Sequence, residues 1–248
     1  MVEELNFTGK ITEAQMRENI RVIAETIAAA ALRSGRRRDD VRIIAASKFQ
    51  PLESLYMALD CGITILGENR VQEREQKAAA WTRGKAEWHM IGALQRNKAR
   101  KAIELFDCIE SVDSLELAVT IERILNERAD AGLNATPYPV MIEVNTSGEE
   151  SKNGVKSSEA IWLFEEILHR CSRLEVTGLM TIGPLVGGER KTRASFALLR
   201  SLACEAGEKL GASLRHLSMG MSGDYEAAIE EGATLVRIGT GIFGARHG

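Results

Sequence analysis

Val41-Arg42-Ile43-Ile44-Ala45-Ala46-Ser47-Lys48 is a short apolar run that ends in a lysine. Its near-continuous hydrophobic character, with no strict polar alternation, suits a strand covered on both faces, as in a parallel sheet. Runs of the same kind recur at residues 63–68, 87–92, 107–111, 140–145, 176–181, 215–220 and 235–240, with the first at 42–47. Segments of helical period separate them, at 52–59, 71–81, 97–105, 115–131, 158–171, 192–210 and 225–231. Eight strands alternating with helices over 248 residues predict an α/β fold, a single (β/α)8 TIM barrel spanning residues 1–248. No Gly-x-Gly-x-x-Gly follows the first strand, which argues against a dinucleotide-binding open sheet. Too few residues follow the last strand for an eighth helix. The long amphipathic segment 12–32 is therefore expected to complete the outer ring.

Composition narrows the class. With 44% hydrophobic and 27% charged residues the chain suits one globular domain. It has no apolar run of membrane-spanning length, and Met1-Val2-Glu3-Glu4 lacks the plan of a signal peptide, so a cytoplasmic location is expected. A net charge of -3 offers no general attraction for nucleic acid or an anionic membrane, and neither is expected as a partner. Arg36-Arg37-Arg38, offset by Asp39-Asp40, reads as a solvated loop. Cys61, Cys108, Cys171 and Cys204 are scattered and read as small buried hydrophobes. His89, His169, His216 and His247 show no ligand spacing, so no metal is expected.

In a barrel of this type the residues just past each strand form one rim, and the rim carries the chemistry. Lys48 stands there after the first strand. It reads either as a snorkelling side chain or as a partly desolvated amine able to form a Schiff base with an aldehyde. The far end, Leu235-Val236-Arg237-Ile238-Gly239-Thr240-Gly241-Ile242-Phe243-Gly244, favours the second reading by offering a cation and backbone amides to an anionic cofactor. Barrels commonly hold phosphate after strands seven and eight, making Ser218, Gly239 and Thr240 the candidates. Ser222 and Asp224 read as caps of the following helix, and Gly241 and Gly244 as turn residues. Arg237, inside a strand, needs a partner: an ion pair with Glu68 or Glu143, or an acceptor on the cofactor. His89 reads as a hydrogen-bonded core histidine, and Trp88, Trp162, Met219, Met221, Tyr56, Tyr138 and Tyr225 as packing residues.

Several long stretches carry a resemblance. They include Gly67-Glu68-Asn69-Arg70-Val71-Gln72-Glu73, Trp88-His89-Met90-Ile91-Gly92-Ala93-Leu94-Gln95-Arg96-Asn97-Lys98, Val144-Asn145-Thr146-Ser147-Gly148-Glu149-Glu150-Ser151-Lys152-Asn153-Gly154, Leu217-Ser218-Met219-Gly220-Met221-Ser222-Gly223-Asp224 and the Arg237 stretch above. With them the chain resembles the pyridoxal phosphate homeostasis protein family, whose members look like the N-terminal barrel of alanine racemase, a fold type III barrel, standing alone. The resemblance implies that Lys48 binds pyridoxal 5'-phosphate (PLP) as a Schiff base. It also implies that Arg237 faces the pyridine nitrogen, that Ser218, Gly239 and Thr240 hold the phosphate, and that Asn69 lies near the cofactor. Phe49-Gln50 stands where the family is expected to have Thr-Lys, which bears on any second basic residue in cofactor exchange.

Arginine remains charged and can only donate to a neutral pyridine nitrogen, which weakens the ring as an electron sink. The racemase's second proton-transfer group, a tyrosine from an additional domain, has no counterpart in this sequence. The expectation is a protein with no catalytic residues that buffers or delivers PLP in vitamin B6 homeostasis and affects amino-acid pools. Its partners would be PLP, amino acids and apo PLP-enzymes, and its state a monomer. A narrow-scope PLP-dependent racemase or decarboxylase is the alternative, and a Schiff-base aldolase without PLP is a third reading.

Overall fold

The computed structural model describes residues 11–82, 84, 86–133, 136–184, 186–212 and 214–244. Met1 to Glu4 and His247, used above, lie outside them. The strands are β1 (Arg42–Ala46), β2 (Ile65–Glu68), β3 (Glu87–Met90), β4 (Cys108–Val112), β5 (Tyr138–Asn145), β6 (Val155–Lys156), β7 (Leu174–Met180), β8 (His216–Met221) and β9 (Leu235–Ile238). Their order is β4-β3-β2-β1-β9-β8-β7-β5, with β5 returning to β4, so eight parallel strands close into a barrel. The two-residue β6 pairs with the end of β5 and stands outside the ring.

The helices are α1 (Glu13–Arg33), α2 (Leu52–Asp60), α3 (Val71–Ala79), α4 (Ala99–Leu105), α5 (Leu115–Asp130), α6 (Ala160–Arg170), α7 (Gly188–Leu210), α8 (Tyr225–Glu230) and α9 (Thr240–Phe243). Thr12 and Gln15 form a capping box at the start of α1. Met16, Ile23, Ile27, Ala30 and Ala31 make its buried stripe. That face packs on α2, α8 and α9, the vacant place in the outer ring. The last strand is nonetheless followed by one helical turn, α9, which corrects the expectation of no helix there. Asn19 Nδ2 ties α1 to that turn by donating to the Ile242 carbonyl at 3.1 Å.

Alternate residues of the strands face the helices or the barrel axis. Ile44, Ile65, Ile91, Cys108, Met141, Met180 and Leu235 form the inner apolar cluster. The remaining buried apolar side chains form the larger layer between strands and helices.

Several local readings are corrected. Arg36 is partly buried rather than free in solvent: its Nη1 donates to the carbonyls of Ala233 (2.9 Å) and Ile229 (3.2 Å), while Arg38 donates to Val41 and Arg37, exposed as expected, pairs with Asp40. Arg36 thus staples the α1–β1 connection to the end of α8 and the loop after it. Cys108 and Cys171 are buried, but Cys61 is only partly so and Cys204 is exposed. Trp162 and Met221 are exposed rather than packed. Among the described residues no helix is long and apolar enough to cross a membrane.

Candidate functional site

Ile44, Ala46 and Lys48 alternate onto the inner face of β1 and its extension. Lys48 is half-buried and lines a cavity of about 850 Å³ together with Phe49, Asn69, Glu73, Gly92 and Gln95. Ala46 pairs with Gly67, so Lys48 and Asn69, each two residues further on, stand side by side at the rim. Gly92 is required beside them: a Cβ there would lie 2.4 Å from the Asn69 carbonyl oxygen. The β3 loop can therefore press against the Asn69 backbone.

The turn that carries Lys48 is held from outside the barrel. Ser47 O accepts from Gln50 N at 3.0 Å and from Lys77 Nζ at 2.8 Å. Phe49 adopts φ +63°, a left-handed conformation unusual for a bulky residue, and its N–H donates to Glu73 Oε2 at 3.1 Å. Glu68, fully buried, accepts from Ser47 Oγ (2.8 Å) and Lys77 Nζ. Burial raises the Glu68 pKa despite Lys77 and Ser47. Sequence reasoning missed Glu73 and Lys77. Their only signal was an i,i+4 pair on one face of a helix, which is common on any solvated helix.

Arg237 lies inside the barrel beside Ile44. Its Nη1 donates to Ser218 Oγ at 2.8 Å and its Nη2 to the Thr181 carbonyl at 2.7 Å. The ion pair weighed above is therefore corrected: Glu68 is occupied by Lys77, and Glu143 makes no hydrogen bond to the guanidinium. Burial lowers the Arg237 pKa, with Glu110 and Glu143 acting against it. Ser218 donates onward to Glu110, which bonds His89 Nδ1; His89 Nε2 meets Glu87 Oε1 at 2.9 Å, and Glu87 accepts from Arg42. A continuous polar chain thus runs from Arg237 to the amino-terminal end of the barrel. Desolvation opposes charge on His89, but Glu110 and Glu87 outweigh it and raise the imidazole to about 9. The core-histidine reading of His89 holds. Glu143, desolvated and facing Asp113, is raised to about 7.

Gly239 and Thr240 stand at the rim beside β1, the Gly239 Cβ position lying 3.6 Å from Ala46. Ser218 is elsewhere: fully buried within β8, its hydroxyl engaged by Glu110 and Arg237. Ser222, read as a cap, instead accepts from Gly241 N at 3.2 Å. Asp224 precedes α8 without capping it and accepts from Met221 N at 2.6 Å. Thus Lys48 and Asn69 share one cavity, Ser222 joins Gly239 and Thr240 on neighbouring strand ends, and Arg237 with Ser218 lies below. Among the described residues no group of three His, Cys, Asp or Glu could hold a metal.

The alanine racemase N-terminal domain model matches residues 11–247. The pyridoxal phosphate homeostasis protein of Aquifex aeolicus is 41% identical over 229 residues, 92% of this chain and 97% of that protein. The protein of the same name from Escherichia coli K12 is 37% identical over 231 residues, 92% and 95% of the two chains. Among solved structures, PipY of Synechococcus elongatus with PLP bound superposes with a TM-score of 0.78 at 35% identity, covering 93% of this chain and all of PipY. Alanine racemase from Corynebacterium glutamicum shares the fold, with a TM-score of 0.70 at 16% identity over 96% of this chain and 63% of the racemase. This chain belongs to the alanine racemase N-terminal domain family and, within it, to the pyridoxal phosphate homeostasis proteins.

Proposed function

We propose that this protein binds PLP at the carboxyl rim of the barrel, between Lys48 and the ends of the last two strands, and serves PLP homeostasis as a carrier. The observation that carries the reading is Lys48 itself, a half-buried amine opening into a cavity that also takes Asn69, at the carboxyl end of a barrel strand. The residues present fit the cofactor. An amine is available for an aldehyde, a buried guanidinium is held by two neutral oxygens, and the Ser222 hydroxyl meets the Gly241 amide at the start of the last helical turn.

PLP supplies an aldehyde that condenses with a neutral amine with loss of water. Lys48 Nζ provides that amine, and Asn69 borders the ring's place. Arg237 would offer the ring nitrogen a donor and no acceptor, which would favour its unprotonated form. Ser222, Gly239 and Thr240 would hold the phosphate. Ser218, buried against Arg237 and Glu110, aligns the guanidinium rather than meeting the phosphate.

A carrier is favoured over a racemase or decarboxylase by the cavity lining. Among the described residues it brings neither tyrosine nor histidine, its Glu73 is engaged with Phe49 N–H, and the basic side chains it adds to Lys48 are Arg70 and Lys98. Amines, including amino acids, and apo PLP-enzymes are the acceptors this reading assigns, with the barrel acting as a monomer in the cytoplasm. Borohydride reduction of the PLP-treated protein followed by peptide mapping tests it. The expected result is a pyridoxyl group on Lys48; a label confined to other lysines, or no label, overturns it.

A further inference from the structure

The Lys48 turn is strained and externally held, and neither feature is needed to close the barrel. Phe49 sits at φ +63°, a backbone conformation that costs a bulky residue free energy, and is 64% exposed. What faces the turn is helix α3. Glu73 accepts the Phe49 N–H on one side of Lys48, and Lys77 donates to the Ser47 carbonyl on the other. The two are one turn apart on the helix, so a single rigid element grips both peptides that flank the lysine. Lys77 is fixed in turn by the buried Glu68, which also takes the Ser47 hydroxyl. The Lys77 half of the grip is therefore anchored in β2.

We propose that Glu73 and Lys77 are positioning residues that hold the Lys48 turn in its strained form, and that this clamp sets how long the cofactor stays. The proposal rests on the reading that PLP is held at Lys48. With the clamp intact, the amine is presented into the cavity without a search through turn conformations. With it broken, Phe49 relaxes towards negative φ and carries the Lys48 Cα with it, because adjacent residues share a peptide plane. Small displacements of a reacting group cost more than their size suggests, so retention is expected to respond to residues that never touch the cofactor.

The test uses full-length protein with and without PLP. Amide hydrogen exchange at Phe49 and Gln50 in the PLP-free protein reads the clamp directly. The decay of the visible band of the loaded protein on dilution reads retention. In Glu73→Ala, exchange at Phe49 and loss of PLP should each rise about tenfold, the scale of one lost hydrogen bond to a charged acceptor. The discriminating variant is Phe49→Gly, since glycine takes positive φ at little cost. In that background Glu73→Ala should change PLP loss by less than about twofold. Glu68→Gln/Lys77→Met removes the buried charge pair together, leaving no lone buried carboxylate, and should also hasten loss.

Unchanged exchange and unchanged loss in Glu73→Ala would overturn the clamp. An equal effect of Glu73→Ala in both backgrounds would overturn it too, assigning Glu73 to direct contact from the cavity wall. A wild-type protein that takes up no PLP defeats the parent reading instead, while the exchange measurement still decides whether Glu73 holds the turn.

Discussion

Arg237 Nη1 donates to Ser218 Oγ at 2.8 Å deep inside the barrel, and Ser218 passes the contact to Glu110. This one hydroxyl links a buried cation to a buried carboxylate without letting them meet. It explains how an arginine can stand in the last strand with no ion-pair partner among the described residues: two neutral oxygens and a nearby negative field share the desolvation cost.

Ser218→Ala removes that link and leaves Arg237 and Glu110 each short of a partner. The variant should lose about 1–3 kcal/mol of stability, the cost of unsatisfied buried polar groups. Urea unfolding measures it. A wild-type midpoint would show that the hydroxyl is not what satisfies the arginine.

His89 makes the fold sensitive to alkaline pH. Its folded value, about 9, lies above its ordinary 6.5 because Glu110 and Glu87 outweigh desolvation. A raised folded pKa gives stability that is complete below 6.5 and lost as pH rises through 9, at most about 3 kcal/mol. His89→Gln should flatten unfolding free energy against pH across that window. A slope equal to that of wild type would remove His89 as its source.

Glu143 contributes in a lower window. Burial, then Asp113, raises its carboxyl from 4.5 to about 7 against the pull of Arg237. The same sign rule applies: the neutral acid is favoured in the fold, so its contribution is full below 4.5 and lost as pH passes 7. Glu143→Gln should therefore exceed wild type in stability at pH 8 by up to about 3 kcal/mol and match it near pH 4. Unfolding at the two pH values decides, and a variant less stable at pH 8 contradicts the assignment.

Gly92→Ala forces a Cβ to 2.4 Å from the Asn69 carbonyl oxygen. Backbone cannot swing aside as a side chain can, so a loss of about 1–3 kcal/mol is expected, with weaker PLP uptake as Asn69 shifts. Equilibrium PLP titration and thermal unfolding of the same preparation check both parts. Normal values in each would mean the two loops part freely.

The barrel was legible because both faces of its strands are covered, leaving apolar runs such as Ile43-Ile44-Ala45 that no turn residue interrupts. Helix α1 was legible for the same reason, an amphipathic stripe with no other place to go. Depth was not. Ser218 and Ser222 are four residues apart in one glycine-rich stretch, yet one is inside a strand and the other faces Gly241 across the rim. Serine suits an N-cap, a loop or a polar core equally, so its residue type carries no depth. Glu73 and Lys77 were missed because their partners, Phe49 and Ser47, are brought to them only by the fold. The arginine run failed likewise: Arg36 reaches carbonyls some two hundred residues away, which no local charge pattern announces.

The central claim, that Lys48 holds PLP, is tested most directly by the visible absorption spectrum of the protein and of Lys48→Ala, each incubated with PLP and freed of excess. The account predicts a yellow band in wild type that Lys48→Ala lacks. The same band in both, or in neither, would contradict it.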